Sequence, residues 1–240
     1  MCFTVNIHLT RKEIEKCFGA KLSDPGSYQS SYYLNAYDLP LLPVIRSEDR
    51  EAIDLLQWGL IPFWVKDSRA ASEIRTKTFN ARAETLLDKP SFRTSARSKR
   101  CLVLVRGFYE WQHRDKDKIP YFIYLKSQEP MAMAGLYDEW TDRDTGENIP
   151  SCTIVTTSAN PMMEKIHNSK KRMPVVLNKE YERTWIDPDA SAEQVLRNLL
   201  PVDESEMGAH TISKLISKRG VEKNVPELVA PYAYDSDRLL

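Results

Sequence analysis

The sequence has 240 residues, of which 42% are hydrophobic and 28% charged, and its Lys and Arg balance its Asp and Glu to a net charge of zero. A chain of this length can bury a substantial core, and its 8 Gly and 14 Pro argue against a disordered or linker-rich protein. No segment approaches the ~18 apolar residues of a membrane helix, and the N-terminus lacks a signal-peptide pattern. We therefore expect a cytoplasmic protein, nucleoid-associated if prokaryotic, that has no membrane partner.

The predicted elements, in chain order, are mostly strands. Residues 2–8 have a strand pattern, and a capping box of Thr10 and Glu13 opens a helix that Gly19 ends. Residues 20–50 are polar and irregular, typical of loops with short strands. Strong strand signals then follow at 101–105, 121–125, 131–136, 152–156 and 175–177.

Two helices are predicted near the C-terminal end. One begins at Asn160, with a proline at its first helical position, and runs to about His167. The other opens with a capping box over residues 191–194 and includes Leu199 and Leu200. With no repeat and no linker, the prediction is one α+β domain over residues 2–235, β-rich, mainly antiparallel and with peripheral helices.

Cysteine and histidine spacing argues against a metal site. The four cysteines form no CxxC pair, and no histidine has zinc-ligand spacing to another ligand. We expect free thiols, no metal and no cofactor.

The zero net charge hides a basic stretch. Residues 66–118 hold fourteen Lys or Arg against seven Asp or Glu, and a second basic group follows at Lys170, Lys171 and Arg172. Such segregation is typical of a polyanion-binding face, although counts alone favour an ordinary solvated surface.

Cys2 directly follows the initiator methionine. If Met1 is removed, Cys2 carries an α-amine and a thiol on adjacent carbons, a pair that traps aldehydes as a five-membered thiazolidine. Reference pKa values of about 7.7–8.0 and about 8.5 leave both groups partly nucleophilic near neutrality. Position alone favours the alternative, a buried small residue at the start of a strand.

Aromatic and amide side chains form two further motifs. Trp58 and Trp64 bracket a bend that contains Gly and Pro, so they either stack on bases or belong to the core. Asn80 and Arg82 alternate with alanine, which puts both on one side of an extended stretch. The alternative is a helix that starts with Asn80 as its N-cap.

A carboxylate and a histidine complete the set of unusual residues. Glu110 lies within the aromatic run 108–111, where desolvation would raise its pKa toward values useful for proton transfer. Its alternative role is an ion pair with Arg106. His167 precedes the basic group at 170–172 and can shuttle protons near neutral pH, although a lone histidine is weak evidence.

Together these segments resemble the SOS response-associated peptidase family, or SRAP domain. The resemblance rests on Met-Cys at the start, Trp-Gly-Leu-Ile-Pro-x-Trp, Asn-Ala-Arg-x-Glu, Gly-Phe-Tyr-Glu-Trp, and a His followed by Arg-Met-Pro, in the family's order. Two departures are visible. Phe3 and Thr4 replace the Gly-Arg that often follows the family's cysteine, and residues 168–171 separate His167 from Arg172.

The resemblance implies a single β-rich domain that binds single-stranded DNA and crosslinks to abasic sites. It implies that Cys2 is the nucleophile, that Asn80 holds the sugar or the Cys2 amine, and that Glu110 is the general acid and base. His167 would protonate the sugar oxygen. The implied DNA contacts are Trp58, Trp64, Arg82, Lys170, Lys171 and Arg172.

Two other functions use the same residues. The first is a cysteine peptidase or N-terminal-nucleophile amidohydrolase, with Cys2 as acyl acceptor. The second is a non-catalytic single-strand DNA-binding module, whose binding would depend on salt but not on Cys2. A DNA groove needs only one copy of the chain, so we expect a monomer and an enzyme with hydrolase- or lyase-like chemistry.

Overall fold

Two β-sheets carry the fold in the computed structural model, which describes residues 2–197, 199 and 202–234. The strands are β1 Thr4–Asn6, β2 Lys21–Leu22, β3 Leu34–Asn35, β4 Leu41–Arg46, β5 Asp49–Trp58, β6 Asn80–Arg82, β7 Arg100–Val105, β8 Gly107–Arg114, β9 Asp117–Leu125, β10 Met131–Thr141, β11 Asn148–Ser158, β12 Arg172–Pro174, β13 Val176–Leu177 and β14 Met207–Thr211.

Short helices surround the sheets. The α-helices are α1 Arg11–Phe18, α2 Ser68–Arg75, α3 Arg93–Ser98, α4 Pro161–Ile166, α5 Lys179–Trp185 and α6 Ala192–Arg197. Single 3₁₀ turns occur at Ala36–Asp38, Ala83–Thr85, Glu204–Glu206, Lys214–Ser217 and Pro226–Val229. Among the described residues, no helix is long and apolar enough to cross a membrane.

The larger sheet closes on itself. Its order is β12-β11-β10-β7-β4-β5-β2, and a parallel pairing between β5 and β11 joins two strands that are not neighbours along that order. The smaller sheet has the order β14-β9-β8-β1-β3. Most pairings are antiparallel, so the predicted α+β, β-rich fold with peripheral helices is confirmed.

Strand β7 shows how the core is organised. Its side chains alternate between two buried clusters, with Val103 in one and Leu102 and Leu104 in the other. The first cluster also receives Val5 and Phe108 from the smaller sheet. The second is covered by helices, including Ile14 of α1 and Trp185 of α5.

The predicted helix caps are confirmed by their hydrogen bonds. Thr10 and Glu13 bond reciprocally at the start of α1, and Gly19 ends that helix with φ of 68°. The Asn160 side chain accepts from Met163 N at the start of α4. Ser191 and Gln194 form the second capping box, but α6 ends at Arg197 and Leu200 lies outside the described residues.

The stretch 41–58 holds longer strands than its sequence predicts. Strands β4 and β5 form a continuous hairpin there, and charged residues occupy the first half of β5. Their side chains are exposed or half-buried, whereas Ile53, Leu56 and Trp58 are buried. The irregular hydrophobic pattern reflects a strand that enters the core only along its second half.

Gly107 begins β8 where three strands meet closely. A Cβ there would collide with the Ile123 carbonyl oxygen and would lie 2.6 Å from Phe122 Cε2. We predict that Gly107→Ala lowers the free energy of unfolding by roughly 1–3 kcal/mol, as overpacking does, measured by chemical denaturation. In Gly26→Ala the nearest atom to the new Cβ is 3.4 Å away, so this control should unfold like the wild type. Equal stability of the two variants would contradict the close packing.

Candidate functional site

Cys2 lies two residues before β1 and is fully buried. Its Sγ is 3.8 Å from the Thr4 carbonyl oxygen. Burial, and secondarily the negative charge of Glu110, raises the pKa of the Cys2 thiol well above its ordinary value. The thiol is therefore protonated at neutral pH, and it needs a base before it can act as a nucleophile.

Asn80 holds the backbone of Cys2. Its Nδ2 donates to the Cys2 carbonyl oxygen at 2.8 Å, and β6 places it by pairing in parallel with β11, Asn80 opposite Ile154. Asn80 is therefore in an extended strand, and the alternative of a helix N-cap is wrong. Its Oδ1 is buried and accepts no hydrogen bond within the described structure. The amide that bonds Cys2 therefore also offers a hydrogen-bond acceptor.

Glu110 lies in the middle of β8, where only 4% of its surface is exposed. The antiparallel pairing of β8 with β1 brings it to the Cys2 end of the smaller sheet. Burial raises the pKa of Glu110 to about 7, because a carboxylate is poorly solvated there. The predicted desolvation is thus present, and the carboxyl group is poised to give or take a proton near neutrality.

The alternative partner of Glu110, Arg106, points elsewhere. The Arg106 guanidinium contacts Glu13 at 2.8 Å and the Gln128 carbonyl oxygen at 2.6 Å. The alternative role of Glu110, a strand-end ion pair with Arg106, is therefore wrong. Gly107 lies between the two residues and starts the strand that carries Glu110 inward.

His167 follows the last residue of α4 and faces Glu110. Its Nδ1 lies 3.9 Å from Glu110 Oε1 and 2.7 Å from the Arg172 carbonyl oxygen. Since a carbonyl only accepts, Nδ1 carries the proton of the neutral ring. Burial lowers the pKa of His167, which favours this neutral form. The imidazole and the carboxyl group therefore share one buried polar site.

A pocket of about 480 Å³ opens onto these two side chains. It is lined by Phe3, Glu110, Trp111, His113, Lys118, His167, Ser169 and Lys170. Cys2 does not appear in its lining, but the charge of Glu110 acts on the Cys2 thiol. In the described part of the chain, no three His, Cys, Asp or Glu side chains are placed to hold a metal ion.

The inserted residues 168–171 form a turn that keeps Arg172 near His167. Lys171 has a φ of 50°, and its N–H donates to the His167 carbonyl oxygen at 2.8 Å. Asn168 bonds the backbone of His113 twice, at 3.0 and 2.8 Å. The turn thus directs the Arg172 carbonyl back to the imidazole and leaves Lys170 and Lys171 exposed.

The predicted DNA-contact residues fall into two groups. Arg82, Lys170, Lys171 and Trp64 are exposed. The Arg172 guanidinium is engaged, because it bonds both carboxylate oxygens of Glu84 at 2.6 and 2.9 Å. A phosphate at Arg172 would have to displace Glu84.

Trp58 belongs to the core and is not placed to stack on bases. It is fully buried, and its Nε1 donates to the Phe79 carbonyl oxygen at 2.9 Å. Trp64 is 45% exposed beside the exposed Phe63. The bend that carries them is fixed by a bond from Phe63 N to Asp138 Oδ2 at 2.9 Å. Of the two tryptophans, the structure makes only Trp64 available to a base.

Comparison with known proteins identifies the family. The family described as SOS response associated peptidase (SRAP) matches residues 1–219. The chain belongs to the SRAP family. It is 42% identical over 206 residues to the abasic site processing protein YoqW of Bacillus subtilis, covering 85% of this chain and 87% of that protein.

More distant relatives agree with this assignment. The abasic site processing protein HMCES of Xenopus tropicalis is 30% identical over 234 residues, covering 86% of this chain and 68% of that protein. An X-ray crystal structure of a protein from Bacteroides thetaiotaomicron superposes with a TM-score of 0.90 at 36% identity. It covers 97% of this chain and 100% of that one.

Some residues of the candidate site were missed by sequence reasoning. Trp111, His113, Lys118 and Ser169 line the pocket although no role was predicted for them. Phe3 lines it too, although it attracted attention only as a departure from the family pattern. Trp111, His113 and Lys118 lie on the hairpin of β8 and β9, in which His113 pairs opposite Lys118. Strand alternation does not single them out, because Trp111 and His113 are an odd number of positions from Glu110.

The raised pKa of Glu110 predicts a pH-dependent stability difference. The folded protein holds this proton up to about pH 7 and the unfolded chain only to about 4.5, so the wild type loses stability as pH rises through that window. Glu110→Gln should therefore be more stable than the wild type at pH 8, by up to about 3 kcal/mol. The difference should vanish at pH 4, as measured by chemical denaturation. The exposed-site variant Glu51→Gln serves as control, and a pH-independent difference for Glu110→Gln would contradict the assignment.

Proposed function

We propose that the chain processes abasic sites in single-stranded DNA, by capturing their aldehyde covalently on Cys2. The observation that carries this proposal is a chain of contacts that begins at Cys2. Asn80 bonds the Cys2 backbone, the charge of Glu110 acts on the Cys2 thiol, and His167 lies 3.9 Å from Glu110. The names of the SRAP relatives, abasic site processing proteins, support the substrate class.

The first requirement is hydrolysis of the Met1–Cys2 peptide bond, which frees the α-amine of Cys2. That amine attacks the aldehyde carbon of the ring-opened sugar and forms a carbinolamine. Glu110 accepts the ammonium proton in this step, and returns it to the hydroxyl that leaves as water when the imine forms. A group with a pKa of about 7 can do both at neutral pH.

The second step closes the ring. The Cys2 sulfur adds to the imine carbon, so that a C–S bond forms, and the thiol proton passes to the nitrogen. Because burial holds the thiol protonated, Glu110 again acts as the base. Capture as a whole releases one water and yields a thiazolidine with five ring atoms.

Asn80 and His167 prepare the reactants. Asn80 Nδ2 fixes the Cys2 carbonyl, and its buried Oδ1 is an acceptor for the α-amine or for a sugar hydroxyl. The unprotonated Nε2 of the neutral His167 takes up the proton that the C1 hydroxyl releases and passes it to the sugar ring oxygen, which opens the ring to the aldehyde. The exposed Trp64, Arg82, Lys170 and Lys171 bind the strand through stacking and phosphate contacts.

Covalent capture can be tested by intact-mass spectrometry. With an oligonucleotide whose single uracil has been excised, the wild type should lose Met1 and gain the mass of the strand minus one water. Cys2→Ala should form no denaturation-resistant complex, because it lacks the sulfur that closes the ring. Cys17→Ala, a matched change at a partly exposed cysteine, should react like the wild type.

Two outcomes would overturn this chemistry. Survival of the complex in Cys2→Ala would exclude Cys2 as the captor. Sustained cleavage of a peptide in the absence of DNA would instead favour the amidohydrolase.

The role of Glu110 predicts a distinct pH profile. The rate of capture should rise with pH and level off near pH 7, because the carboxylate form accepts protons from the amine and the thiol. Glu110→Gln should slow capture about 10²-fold or more and remove that inflection. Rates measured by quenched gel assays should be unchanged in Glu51→Gln. An unaltered profile in Glu110→Gln would assign the proton transfer to another group.

A further inference from the structure

Three aromatic side chains pack against one another next to the site. We call Phe3, Tyr37 and Phe79 the aromatic shelf. The Phe3 and Tyr37 ring centroids are 5.5 Å apart, with their planes tilted by 33°. Phe3 immediately follows Cys2 in the chain and lines the same pocket as Glu110 and His167. The shelf therefore begins one residue from the proposed nucleophile.

Phe79 fixes the shelf to the core. It is buried, and its ring meets Tyr37 edge-on at 5.1 Å and Phe3 edge-on at 6.3 Å. Its other neighbour is the fully buried Trp58, at 6.3 Å. These edge-to-face contacts favour one ring arrangement over others, so the shelf is ordered before any ligand arrives.

Backbone hydrogen bonds hold Tyr37 in place. Ala36 N donates to the Phe3 carbonyl oxygen at 2.8 Å, and Tyr37 N donates to Asn35 Oδ1 at 2.9 Å. Leu39 then ends this 3₁₀ turn with a φ of 51°. The turn is thus tied both to the residue after Cys2 and to its own cap.

Tyr37 is nevertheless 63% exposed. A ring this open contributes little apolar burial to folding, although the backbone around it is tightly bonded. An ordered and exposed aromatic ring at the edge of a reactive pocket is the kind of platform on which bases stack in single-strand binders.

We propose that the aromatic shelf binds the nucleobase adjacent to the abasic nucleotide, an inference that rests on the proposed function. An abasic nucleotide has no base, so its neighbour in the strand has one face without a stacking partner. Tyr37 and Phe3 cover that face while the base-free sugar enters beside Cys2. Because stacking strengthens with ring area, the shelf makes binding sensitive to the size of that neighbouring base.

The shelf can be tested without the covalent step. Strands that carry tetrahydrofuran, an abasic analogue with no aldehyde, should bind non-covalently, and their Kd is measured by fluorescence anisotropy. The nucleotide next to the analogue is varied. On one of its two sides, strands with adenine should bind more tightly than strands with thymine, and strands with thymine more tightly than strands with a second tetrahydrofuran. The full range should be roughly tenfold, the effect of one stacked base.

Three variants isolate the contribution of the ring. Tyr37→Ala should remove this dependence on the neighbouring base, and Tyr37→Phe should retain it because the ring remains. Tyr181→Ala, which removes a tyrosine that is 38% exposed on α5, should behave like the wild type.

The result separates the shelf from the capture chemistry. A Kd that does not depend on the neighbouring base in the wild type, or a dependence that survives in Tyr37→Ala, would overturn the shelf, even if abasic strands are still captured. Base-dependent binding that Tyr37→Ala abolishes would establish the shelf, even if no adduct forms on aldehyde-containing strands.

Discussion

The burial of one carboxyl group is the constraint on which the site depends. Glu110 is carried inward by β8, and the pairing of β8 with β1 sets it at the Cys2 end of the smaller sheet. A carboxylate in such surroundings costs free energy, so its pKa rises to about 7 and it comes to share a proton near neutrality. The same negative charge makes the Cys2 thiol harder to ionise. The proposed nucleophile and the proposed acid and base are therefore coupled through one buried position.

Local patterns in the sequence predicted much of this arrangement, because the interactions involved span only a few residues. The capping box at Thr10 and Glu13, the cap at Asn160 and the desolvated Glu110 can each be inferred from neighbours in the chain. The alternation around Asn80 also predicted an extended stretch correctly. The contact between Asn80 and the Cys2 carbonyl could not be predicted in this way. It depends on the pairing of β6 with the distant strand β11, which no local pattern reveals.

Long-range partners explain where sequence reasoning failed. The sequence does not show which of the two tryptophans in the bend is buried. The pairing of β5 with β11 encloses Trp58, whereas Trp64 lies outside that pairing and is exposed. Arg106 and Glu110 are close in the chain, yet Arg106 bonds Glu13 of α1. Arg172 is engaged by Glu84, 88 residues away. In each case a partner distant in sequence outcompetes the local one.

The burial of Cys2 also bears on how long the protein remains usable. Oxidation of a cysteine to sulfenic acid proceeds through an exposed thiolate, and Cys2 is neither exposed nor readily ionised. Peroxide and other small oxidants thus meet an inert sulfur at rest, although the same atom lies beside a potential base. In the proposed capture Cys2 reacts once and is consumed, so this protection would matter, since every molecule oxidised beforehand would be lost from the reactive pool.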